Sequence, residues 1–103
     1  MAQWTIIGKE SEQTSGGTAK SFSVLLNTDD LIWTAFGTHL STYLSVKEGK
    51  FTFQLSGELG LKLLSSTGKW VATFNQLLAN SPIGATGTGQ TELKQIEWKL
   101  DSK

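Results

Sequence analysis

Apolar and polar residues alternate along most of this chain, and the alternation predicts a series of short strands. Trp4-Thr5-Ile6-Ile7 reads as the first. Phe22, Val24 and Leu26 share one face of Ser21–Leu26, and Asn27-Thr28-Asp29-Asp30 follows as a turn. Leu40, Thr42, Leu44 and Val46 share a face, Lys47-Glu48-Gly49-Lys50 turns, and Phe51, Phe53 and Leu55 return. Period-two patterning on both sides of a short glycine-containing turn is the signature of a hairpin. Leu61-Lys62-Leu63-Leu64, Ser65-Ser66-Thr67-Gly68 and Lys69–Phe74 repeat it, and Ile96, Trp98 and Leu100 alternate in a last strand.

Two segments also fit helical spacing. Ile32, Trp33, Phe36, Leu40 and Tyr43 recur at helical intervals, with Asp29 or Asp30 placed to cap a helix. Trp70, Val71, Phe74, Leu77 and Leu78 do the same, and Asn80-Ser81-Pro82 would end that helix. The pattern therefore predicts an all-β fold, a small antiparallel β-sandwich or barrel. The alternative is α+β, an antiparallel sheet with helices near 30–45 and 69–80. Leu25-Leu26 followed by Trp33–Phe36 echoes Leu63-Leu64 followed by Trp70–Phe74, a similarity expected by chance in a low-diversity β sequence.

Glycine and serine punctuate the rest. The polar, glycine-rich stretch near 10–20 reads as a flexible loop, and the Gly/Thr-rich stretch near 82–91 as another. At 103 residues, 1–103 is expected to form a single domain.

Composition narrows the function classes. Nine Lys+Arg balance nine Asp+Glu, which disfavours a duplex nucleic-acid binder and an anionic membrane surface. Zero net charge also gives little colloidal repulsion, so a homo-oligomer is expected. With no cysteine, disulfides and thiolate metal sites are excluded. Neither a secretory signal nor a membrane-crossing apolar run is present, which makes a soluble, cytoplasmic chain the default expectation.

Motifs that carry chemistry fail on inspection. Gly84-Ala85-Thr86-Gly87-Thr88-Gly89-Gln90-Thr91 has the spacing of a phosphate-cradling loop, but Gln90 stands where the lysine is needed. Ser66-Thr67-Gly68-Lys69 matches an acyl-transfer spacing, yet sits at a hairpin tip rather than a helix start. His39 is the sole histidine and lacks a local relay. Adjacent Asp29 and Asp30 project oppositely on an extended chain, and the apolar residues after them do not make a calcium loop. No catalytic residue, metal ligand or cofactor is assigned, and the chain is not expected to be an enzyme.

Four tryptophans remain to be explained. Trp4 and Trp98 fall in phase with core residues. Trp33 and Trp70 adjoin a second apolar residue, so they are candidates for a contact surface. The expected function is a non-catalytic binding or assembly module, recognising glycan or protein through exposed aromatics on a β-sheet. Trp33 with Asp29 and Asp30, or Trp70 with Asn75 and Gln76, would form the ligand-binding set. The alternatives are a homo-oligomeric structural or virion-type subunit and a barrel binding single-stranded nucleic acid through its aromatics and Lys47, Lys50, Lys62 and Lys69.

Overall fold

The structure is a computed structural model that describes residues 3–10, 21–37, 39–44, 51–56 and 59–103. Eight strands run in chain order: β1 (Gln3–Glu10), β2 (Ser21–Asn27), β3 (Ile32–Phe36), β4 (Phe51–Ser56), β5 (Gly60–Leu64), β6 (Trp70–Asn75), β7 (Thr86–Thr91) and β8 (Gln95–Ser102). Each pairs antiparallel with the next, and β8 returns to pair with β1, Ile6 opposite Leu100 and Gly8 opposite Trp98. The result is an up-and-down barrel, which closes the sheet and removes its free edges.

Alternation sets inside from outside. Trp4 and Ile6 of β1, Phe22, Val24 and Leu26 of β2, and Ile96, Trp98 and Leu100 of β8 all point inward and are buried. Thr5, Lys9, Gln95 and Lys99 of the same strands point outward. An eight-stranded barrel is just wide enough for side chains to fill it. Here they do, with Trp33, Phe53, Phe74 and several leucines joining one continuous core. The interior is apolar, while the outward positions mix polar residues with Ile7, Leu25, Ile32, Phe36 and Leu64.

The strands predicted at residues 4–7, 21–26, 61–64, 69–74 and 96–100 are present. Neither long helix of the alternative reading forms. Residues 30–45 give β3 and then α1 (Leu40–Tyr43), a four-residue helix, and 69–80 give β6 followed by turns. In both, apolar side chains that fit a helical stripe are used one strand position at a time. Leu40–Leu44 is also not the strand its alternation predicts. Its single turn, held by Leu44 N–H donating to Leu40 O at 3.0 Å, buries Tyr43 and Leu44 at the mouth where β1 ends. Residues 11–20 of the first predicted loop, and Val46–Lys50 with the hairpin turn, lie outside the described residues. The second predicted loop is corrected in part. Residues 82–85 do turn, but Thr86–Thr91 is a full strand of the barrel wall.

Tyr43 seals that mouth. Its ring packs on Phe22 with centroids 4.6 Å apart and planes tilted by 35°. Burial, and then the nearby negative charge of Glu10, raise its pKa above 10.0, while a backbone hydrogen bond at Glu10 pulls the other way. A raised folded-state pKa means the fold prefers the neutral phenol. Its contribution to stability is complete below pH 10.0, the unfolded value, and is lost as pH rises through the folded pKa. Because Tyr43 is the only tyrosine, phenolate absorbance reports it alone. Alkaline titration should show ionisation displaced above the free-tyrosine value and coincident with loss of near-ultraviolet tryptophan signal; an unshifted titration with the fold intact would contradict the seal.

Candidate functional site

Two expected platforms part company inside the barrel. Trp33 is 1% exposed and points into the core. Its indole Nε1–H donates to Leu64 O at 2.9 Å, reaching from β3 past β4 to β5. It offers no ring to a ligand, and the expected grouping of Trp33 with Asp29 and Asp30 does not form a stacking site. Those aspartates build the β2–β3 turn instead. Asn27 Oδ1 accepts from the backbone N–H of Asp29 at 3.0 Å and of Asp30 at 3.2 Å, and Asn27 Nδ2 donates to Asp30 Oδ2. Asp30 also edges a shallow hollow of about 280 Å³ shared with Gln3, Leu25, Ile32 and Thr34.

Trp70 is 37% exposed. The cause is a register shift: Leu63 pairs with Ala72 but Leu64 pairs with Trp70, so Val71 is the extra residue. Val71 and Ala72 are consequently both buried, and Trp70 is turned outward with Thr73 and Asn75. A β-bulge re-aims side chains in this way. The Trp70 indole Nε1–H donates to Thr73 Oγ1 at 2.7 Å, which fixes the ring against the outer wall. Gln76, exposed with φ of 63°, turns the chain away from β6 just beyond Asn75.

The wall beside β6 is dented. β7 carries glycine at two inward positions, Gly87 and Gly89, and threonine or glutamine at the outward ones. A Cβ on Gly89 would stand 2.4 Å from Thr73 O, and one on Gly87 would stand 2.6 Å from the Trp98 ring. Without side chains there, the backbone of β7 settles directly onto its neighbours. β6 and β7 pair no further than Phe74 opposite Gly89. Just past that point the Trp98 indole N–H bridges the gap from inside, donating to Asn75 O at 3.1 Å and Thr88 O at 3.0 Å.

Two adjoining hollows occupy the dent, and Thr88 lines both. One, of about 250 Å³, is bordered by Asn75, Gln90 and Gln95. The other, of about 460 Å³, has Gly87 and Trp98 in its floor and Lys9, Glu97 and Lys99 on its sides. Cross-strand pairing sets the second as a grid, with Thr88 and Lys9 each opposite Glu97, and Thr86 and Ile7 each opposite Lys99. Its chemistry is therefore carboxamide and hydroxyl at one end, and at the other a largely apolar surface of Ile7 and Trp98 rimmed by one carboxylate and two ammonium groups. Of the expected site residues, Asn75 lines this trough and Trp70 stands on the same strand. Sequence reasoning passed over Thr88, Gln90, Gln95 and Glu97. The signal that marks them is the threonine–glycine alternation of 86–89, a period-two pattern whose inward residue happens to be glycine.

Among the described residues, no three His, Cys, Asp or Glu side chains gather to hold a metal ion. His39 is exposed beside α1. Lys62 stands on the outer wall and Lys69 at the β5–β6 turn, while Lys47 and Lys50 lie outside the described residues. Comparison with family models, curated proteins and solved structures returned no match.

Proposed function

We propose that this barrel is a non-catalytic recognition module that binds glycan chains on its outer wall, in the trough over β6, β7, β8 and β1. The observation that carries the reading is the lining of the two joined hollows. Asn75, Gln90, Gln95 and Thr88 supply donors and acceptors in near-equal number and carry no charge, and Glu97 adds a strong acceptor. Sugar hydroxyls, which donate and accept at once, match that mixture. A polyanion does not, since Glu97 opposes it between Lys9 and Lys99. The packed interior supports the same placement, because side chains already fill the space a small ligand would take inside the barrel.

The test is a glycan array followed by ¹⁵N-resolved titration of the hits. Binding should shift the side-chain amides of Asn75, Gln90 and Gln95. It should also shift the indole N–H of Trp98, which lies beneath the trough, while that of Trp33 stays put. A Gln90→Ala, Glu97→Ala variant should keep its fold and lose binding at least about tenfold, since each removed partner leaves a ligand group unpaired. An array without hits, or shifts confined to other faces, would defeat the reading.

Self-association is a second reading with its own observation. Leu31, Leu59 and Ile83, each more than half exposed, sit in the β2–β3, β4–β5 and β6–β7 connections. In an up-and-down barrel these connections all lie at one mouth. Leu31 moreover holds a φ of 58°, strained for a leucine. Sedimentation across a concentration series, with Leu31→Asn as the control, tests it: an unchanging monomer would end it.

A further inference from the structure

We infer that the trough continues as a polar band across the outer wall to Trp70 and takes a linear, uncharged oligosaccharide of several rings. The inference rests on the glycan reading above and says which glycans. Its basis is register. Pairing sets Gln54 opposite Lys62, Lys62 opposite Thr73, Thr73 opposite Gln90 and Gln90 opposite Gln95. All five point outward and are polar, so one hydrogen-bonding row crosses five adjacent strands. At the usual spacing between neighbouring strands the row is roughly 19 Å long. That is too long for a single sugar ring and suits a chain.

Trp70 stands next to this row. Its indole donates to Thr73, the middle residue, so the ring is tied to the row while the residue stays partly in solvent. A ring restrained in this way loses little further freedom when a ligand stacks on it, which is the advantage of preorganisation. Aromatic faces attract the C–H side of a pyranose, while the amides beside it match the equatorial hydroxyls. Charge agrees with the choice of occupant. Four of the five row residues are neutral, and the single ammonium of Lys62 is too little to hold a polyanion.

The test is a length series of cello- and chito-oligosaccharides, from disaccharide to hexasaccharide, titrated into the whole protein by calorimetry. Affinity should climb at least about tenfold along a series, and Trp70→Ala should remove about tenfold from the hexasaccharide while leaving the disaccharide unchanged. Trp70→Phe, which keeps an aromatic ring, should retain most of the gain. Affinity that ignores both length and Trp70 would overturn the extended band and leave the trough standing. No binding of either series would overturn it too, and an empty glycan array would remove the reading beneath it. A dimer that dissolves in Trp70→Ala would mean a second copy covers the row, which also overturns it.

Discussion

Replacing Trp33 by alanine is expected to cost the barrel about 3–5 kcal/mol, the range for emptying a buried large aromatic. The indole is 1% exposed, and no solvent can enter to compensate for the lost contacts. Its position raises the cost further. Among the described residues β3 pairs with β4 only at Ile32–Thr52 and Trp33–Phe51, the shortest seam in the wall. The Trp33 indole spans that seam to reach Leu64 O, a carbonyl at the β5–β6 register shift. Trp33→Phe separates the two effects. It keeps most of the ring volume and strands the carbonyl, for about 1–3 kcal/mol. Both numbers are read from denaturant midpoints at constant slope. A Trp33→Ala protein as stable as the parent would show that the ring lies outside the core.

The second large effect concerns β7. Gly89→Ala should destabilise by about 2–3 kcal/mol, the cost of forcing extra volume into a packed site. The Cβ would meet the Thr73 carbonyl, a backbone atom of the paired strand that has no rotamer through which to retreat. Gly87→Ala should cost less, because the Trp98 ring it meets can tilt, at the expense of its bonds to Asn75 O and Thr88 O. The combined variant should push β7 outward and fill the dent. Binding should then fall further than stability does, and in folded protein at low temperature the two are measured apart. Unchanged stability in Gly89→Ala would mean that β7 does not sit against β6 as closely as described.

The strands are legible because period two needs only side-chain polarity, and in β1, β2 and β8 every buried position is apolar or glycine. Trp4 and Trp98 could be assigned to the core for that reason. Trp33 and Trp70 could not be told apart, since each adjoins another apolar residue and only the fold decides which one turns in. Leu26 faces Trp33 and Leu64 faces Trp70, so the echo between the two segments falls on corresponding pairs of two hairpins. The inserted Val71 reverses the phase of the second. A bulge is a difference of one residue between partners, invisible while the partner is unknown. The α1 turn was hidden for a related cause: Leu40, Thr42 and Leu44 alternate, but the barrel mouth needs Tyr43 as its plug, and packing overrides the local pattern. The trough is not legible in the sequence because glycine reads as a loop residue. In β7 it marks the reverse, a strand so close to its neighbours that no side chain fits.

The barrel keeps three of its four indoles inside, and the proposed recognition falls to its outer wall. Fluorine spectra of protein labelled with 5-fluorotryptophan test it directly, using a soluble paramagnetic agent and Trp70→Phe to assign one signal. The Trp70 resonance should broaden strongly while those of Trp4 and Trp33, each at most 6% exposed, stay sharp. Equal broadening of the Trp33 resonance would contradict it.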